Sequence, residues 1–104
     1  MSKTFEELES AVVHWAIARQ IIPNATPVSQ LLKAISEIGE LADAEGKKHE
    51  GAIMDAVGDV LVCLINYCAL REIRVTTCLA LAYDQIKDRR GTLMPDGTFV
   101  KEAP

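Results

Sequence analysis

The sequence predicts an all-α protein: a four-helix bundle-like fold with a short C-terminal β-hairpin or hooked tail. Three observations carry that expectation. Apolar residues recur every three or four positions along four segments. Prolines, glycines and hydroxyl residues fall between those segments, where helices start and stop. After Gly91 the helical period gives way to Thr92-Leu93-Met94, Pro95-Asp96-Gly97 and Thr98-Phe99-Val100, which reads as a turn between two short strands.

The first helix is predicted over 4–20. Ser2 or Thr4 can cap it, and Glu6, Glu7 and Glu9 complement its first turns. Leu8, Val12, Trp15 and Ala16 recur at helical spacing, and Pro23 ends it. Ile21 to Pro27 reads as a loop. Thr26-Pro27 is a cap followed by proline in the first helical position, opening a second helix over 27–47. Leu31, Ile35, Ile38 and Ala42 form its apolar stripe, with Glu37 and Glu40 turned away from the stripe's centre. Gly46 and Gly51 bracket a polar turn in which His49 is expected to be solvated.

A third helix over 52–72 is apolar nearly all round between Ala56 and Ile65, so it is expected at the centre. Asp55, Asp59, Val62 and Asn66 share one side of it. Gly58 within it suggests close approach of another helix or a ligand. Thr76 or Thr77 can cap a fourth helix over 77–90, with Leu79, Ala82, Tyr83 and Ile86 inward and Gly91 as its stop. The tail is 91–104, and the whole of 1–104 reads as one domain.

Composition narrows the function. A net charge of −4 and a pI of about 5.1 argue against nucleic-acid or anionic-membrane partners. The most apolar run, Val60 to Ile65, is far shorter than the ~20 residues that span a bilayer. Three cysteines, Cys63, Cys68 and Cys78, without a C-x-x-C spacing, read as reduced core thiols in a cytoplasmic protein.

Four acids stand out. Glu37 and Glu40 are three apart, Asp55 and Asp59 four apart, and each pair falls on one helix side. Asp59 is the one charge in the run Ala56 to Ile65, where an unpaired carboxylate is costly. Oxygen ligands from two consecutive antiparallel helices suit Mg²⁺, with Mn²⁺ as the alternative. Taken singly, Glu37, Glu40 and Asp55 also fit a solvated helix surface.

The stretch Lys33-Ala34-Ile35-Ser36-Glu37-Ile38-Gly39-Glu40-Leu41-Ala42-Asp43-Ala44, followed by Asp55-Ala56-Val57-Gly58-Asp59-Val60-Leu61-Val62, resembles the MazG-like nucleotide pyrophosphohydrolases. These have the all-α NTP pyrophosphatase fold, with an E-x-x-E element on one helix and an E-x-x-D element on the next. Ala82-Tyr83-Asp84-Gln85-Ile86-Lys87-Asp88-Arg89-Arg90-Gly91, with Gly97-Thr98-Phe99-Val100-Lys101, resembles the small phage-type branch. Ser36 stands where a second glutamate is common. Ala56 stands where the glutamate of the second element would be, leaving Asp55 as the nearest acid.

The resemblance implies Mg²⁺-dependent hydrolysis of a nucleoside triphosphate to monophosphate and pyrophosphate. Glu37, Glu40 and Asp59 would be ligands and catalytic groups, joined by Asp55. Glu37 or Asp55 would hold or deprotonate the water. Lys87 and Arg90, spaced to share a helix side, and Lys33 would meet the phosphates. Trp15 would stack on a base or belong to the core. Asn66 would bond substrate or be a satisfied buried amide. A chain this short with so apolar a central helix implies a homodimer or homotetramer. Two other readings are another all-α pyrophosphatase, of phosphoribosyl-ATP or dUTPase type, and a non-catalytic helical oligomerisation module with a degenerate metal site.

Overall fold

Threonine and histidine caps set the starts of three long helices in the computed structural model, which describes residues 2–103. Thr4 Oγ1 accepts from the Glu7 N–H, and the Glu7 carboxylate accepts from the Thr4 N–H, opening α1 (Phe5–Ala18). Thr26 Oγ1 accepts from the Ser29 N–H, and Pro27 occupies the first turn of α3 (Pro27–Gly46). Between them the segment read as a loop holds one irregular helical turn, α2 (Ile21–Asn24), with a cis Ile22–Pro23 bond.

α4 (Glu50–Leu70) starts two residues before the predicted position, because His49 caps it: its Nδ1 accepts the Ala52 N–H at 3.0 Å. His49 is exposed and also does structural work. α5 (Val75–Ile86) starts earlier and ends four residues sooner than predicted. Lys87 to Arg90 therefore leave the helix before Gly91, which opens strand β1 (Gly91–Leu93) instead of stopping a helix. β2 (Phe99–Lys101) pairs antiparallel with β1 in the register Leu93↔Phe99. A side chain on Gly91 would run into the Val100 carbonyl and the Phe99 ring, so this strand needs glycine there. Gly97, at φ 91°, makes the turn.

α3 and α4 form the main antiparallel hairpin, and α1 lies across α4. The contact between them is built from small residues: Ala34 and Ala44 on α3, Ala56 and Cys63 on α4, Ala16 on α1 are all buried. The larger apolar side chains point elsewhere. Leu31, Ile35 and Ile38, from the apolar stripe expected on α3, are exposed within the chain, Ile35 at 64%. The face of α3 that meets α4 is Gln30, Ala34, Glu37, Leu41 and Ala44 instead. The large apolar stripe is therefore not the face that meets α4; the small residues there allow the helices to approach. Leu79, Tyr83 and Ile86 of α5 are likewise exposed, and α5 buries no residue.

The resulting radius of gyration is 16.5 Å, against ~13 Å expected for a compact domain of about 100 residues. Gly58 has open space beside it within the chain, so no intrachain helix contact explains it. α4 has a mean hydropathy of 1.7 over its most apolar window and is long and apolar enough to cross a membrane, which the shorter run Val60 to Ile65 did not suggest. Asp55 and Asp59 break that surface, and a carboxylate at bilayer depth is costly.

Candidate active site

The α3–α4 hairpin brings the two acidic elements together. Glu37 and Asp59 are equidistant along the chain from Lys48 at the turn, so they stand at the same height on facing helices. Lys33 and Cys63 are matched in the same way one turn further on, and Gln30 and Asn66 beyond them.

The electrostatics follow this placement. A hydrogen bond with Glu40, one oxygen's removal from water, and the charges of Glu40 and Asp59 push the Glu37 carboxyl above its ordinary value. Lys33 partly opposes that rise. Glu37 Oε2 is shut off from solvent without a hydrogen-bond partner. Cys63, 2% exposed, is pushed up by burial and by Glu37 and Asp59, with Lys33 again opposing. Glu37, Glu40, Asp59 and Lys33 thus form one interacting group. Asp55 lies a turn before Asp59, exposed, and is not among the charges that act on Glu37.

Crowded carboxylates with an orphaned oxygen are what a hard cation relieves, so the donor set fits a divalent metal. The acids are not closed into a cage: among the described residues no three His, Cys, Asp or Glu side chains are gathered tightly enough to hold an ion as they stand. Relief of the crowding has a measurable consequence. A carboxyl with a raised folded value weakens the folded state as pH rises past its unfolded value. Glu37→Gln is therefore expected to raise the melting temperature of metal-free protein at pH 7, with a smaller gain at pH 4. Thermal unfolding in the presence of a chelator checks this.

Beside Asp59 a pocket of about 380 Å³ is lined by Leu8, Ala11, Val12 and Trp15 of α1 and by Val62 of α4. Trp15 is 46% exposed, so it is not a core residue; Arg19 lies 5.9 Å from its ring centroid on one face. Leu8, Val12 and Val62 carried no site expectation, although their spacing with Trp15 and Asp59 was visible. Asn66 is 3% exposed and its Oδ1 has no partner, so the satisfied-amide reading does not hold within the chain.

Lys87 and Arg90 are not brought to the acids. Lys87 pairs with Asp84 at 3.3 Å. Arg90 lines a separate cleft of about 440 Å³ with Gln85, Asp88, Arg89 and Lys101, between the end of α5 and the tail. They do not share a helix side, because α5 ends at Ile86.

Glu9 plays a part that its place in an acidic first turn did not signal. It is 2% exposed. Its carboxylate accepts from the Val75 N–H at 2.7 Å, from Arg74 Nε at 3.3 Å and from the Thr76 hydroxyl. Thr76 and Thr77, expected to cap α5, do not; Glu9 satisfies the helix N-terminus from α1. Burial raises the Glu9 carboxyl, but the Thr76 and Val75 hydrogen bonds and the Arg74 charge outweigh it and hold the group below its ordinary value.

No family model matches the sequence. Over 60 residues, 58% of this chain, it is 30% identical to an uncharacterized 18.2 kDa protein in the rep-hol intergenic region of Haemophilus phage HP1. The chain spans 37% of that relative's length. The fold is that of the cyanophage S-2L MazG-like pyrophosphohydrolase, a structure bound to dGDP and three catalytic Mn²⁺ ions per active site. The match has a TM-score of 0.69 at 20% identity and covers 98% of this chain and 100% of the other. The all-α architecture expected from the sequence is thus the one observed.

Proposed function

We propose that the chain is a divalent-metal-dependent pyrophosphohydrolase that cleaves nucleoside triphosphates to the monophosphate and pyrophosphate. The observation that carries this reading is the Glu37–Glu40–Asp59 group, with its orphaned Glu37 oxygen, beside a pocket walled by Trp15. The shared fold with a nucleotide-bound, Mn²⁺-bound pyrophosphohydrolase supports it.

Glu37, Glu40 and Asp59 would hold Mg²⁺ or Mn²⁺, with Asp55 completing the set. Such an ion supplies charge neutralisation and a lowered water pKa. The base lies in the pocket against the Trp15 face that Arg19 leaves free. Lys33, whose charge acts on Glu37, would meet the phosphates. Glu37 or Asp55 takes a proton from the attacking water. The water oxygen bonds to the α-phosphorus, the bond from that phosphorus to the α–β bridging oxygen breaks, and pyrophosphate leaves. Asn66, through its free carbonyl oxygen, orients a donor on the substrate or the water.

The exposed α3 stripe is assigned to contact with another copy, giving a homodimer or homotetramer. Ile35→Glu is expected to shift the protein to monomer in sedimentation velocity, because it places a charge in the centre of that stripe. A second reading is favoured by the open arrangement of the acids and by Ser36 and Ala56: a helical oligomerisation module without turnover. A panel of ribo- and deoxyribonucleoside triphosphates with Mg²⁺ or Mn²⁺ separates the two. Turnover abolished by a chelator is expected; no turnover of any nucleotide would leave the module. Strong preference for dUTP, or turnover of phosphoribosyl-ATP alone, would move the chain to the other all-α pyrophosphatases.

A further inference from the structure

Arg74 stands between two clefts on α1. One, of about 290 Å³, is lined by Ser10, Val13 and His14 of α1, Ala69 of α4, and Ile73 and Arg74 of the connector to α5. The other, of about 500 Å³, shares Ser10, His14 and Arg74 and continues along α1 past Glu6 and Glu7. The smaller cleft has no residue in common with the pocket beside Asp59. Its cation is fixed from behind. The Glu9 carboxylate, 2% exposed, accepts from Arg74 Nε at 3.3 Å and lies 3.2 Å from Nη2. Arg74 Nη2 also donates to Ser10 Oγ at 3.1 Å. The guanidinium is thus held in place while its side chain stays 54% exposed, and among the described residues none takes the hydrogens of Nη1.

We propose that the smaller cleft binds a small organic carboxylate with an apolar body. The carboxylate meets Arg74, whose planar fork suits it. Ser10 Oγ already accepts from Arg74, which leaves its own hydrogen to donate to the ligand. His14, one helical turn from Ser10, adds a ring N–H on the same side of α1. Val13, Ala69 and Ile73 form the apolar half, and no acid lines the cleft. Charge selects among anions. Glu6 and Glu7 line the adjoining cleft, so a single negative charge is favoured over a phosphate monoester, which carries about −1.5 to −2 at neutral pH. Arg74 immediately precedes α5. A carboxylate held on it therefore reinforces the hold that Glu9 has on the start of that helix.

The test titrates the isotope-labelled full-length protein with benzoate, with benzamide as its uncharged counterpart, and follows backbone amide shifts by NMR. Benzoate is expected to move the resonances of Ser10, His14, Ala69 and Ile73 and to saturate. Benzamide should bind about tenfold or more weakly, the loss expected for one charged hydrogen bond. Arg74→Gln should weaken benzoate by the same factor. Because Arg74 also helps to hold α5, Ile73→Glu serves as a second variant. Ile73 is 46% exposed, so folding should survive by circular dichroism while the added negative charge abolishes the benzoate shifts. Equal binding of benzoate and benzamide overturns the proposal. So do benzoate shifts that never saturate, shifts centred on the Trp15 pocket, or full binding retained by folded Ile73→Glu protein.

Discussion

Asp59→Asn is expected to lower turnover on the order of 100-fold or more while leaving helix content and assembly unchanged. Groups that only orient a metal's ligands already contribute 10- to 100-fold, and a carboxylate placed as a direct ligand should contribute at least as much. Asp59 is the informative position because three observations meet there. It stands opposite Glu37 across the α3–α4 contact, it raises the Glu37 carboxyl, and it lines the Trp15 pocket. The amide keeps the size of the side chain and removes the charge. Folding should therefore survive, and with one fewer like charge the metal-free protein should be no less stable than the wild type. Steady-state pyrophosphate release alongside circular dichroism checks both halves. Near wild-type turnover would mean that the site is misplaced.

Glu9→Ala is expected to cost about 3 kcal/mol of folding stability, since charged hydrogen bonds contribute roughly 1.5–3 kcal/mol and orphaned donors add to the loss. The Val75 N–H and the Thr76 hydroxyl lose their acceptor, and α5 loses the group that satisfies its N-terminus. Arg74 is half exposed and can turn to water, which keeps the loss below that of a fully buried ion pair. The pH dependence has a definite sign. The Glu9 carboxyl titrates lower in the folded than in the unfolded chain, so its stabilisation is present above the unfolded value of about 4.3 and is lost as pH falls through the folded one. Glu9→Gln should therefore lower stability at pH 7 and flatten its decline below pH 5. Urea unfolding across that range measures it. An unchanged midpoint at pH 7 would remove Glu9 from the account of how α5 is held.

The helices were legible because their signals are local. Thr26-Pro27 and the acids of α1 act within one turn, and the structure bears out both starts. The facing acids were legible for a similar reason: a short turn between two long helices fixes which residues stand opposite. What could not be read was which face of each helix turns inward. In α3 the stripe of large residues points out and the small-residue face packs, because backbone approach rather than side-chain size governs the α3–α4 contact. Glu9 was hidden for a related reason. Its partners lie more than sixty residues away, so nothing in the first helix distinguishes it from Glu6 or Glu7. Lys87 and Arg90 were misplaced on a helix because a helical period continues through a charged stretch that in fact unwinds after Ile86.

Phosphorus NMR of the products formed from a nucleoside triphosphate with Mg²⁺ or Mn²⁺ reports which phosphoanhydride bond breaks. Nucleoside monophosphate and pyrophosphate are expected in equal amounts, formed by the Asp59→Asn protein on the order of 100-fold more slowly or slower still. Orthophosphate with nucleoside diphosphate, or unchanged triphosphate in the presence of either metal, would contradict it.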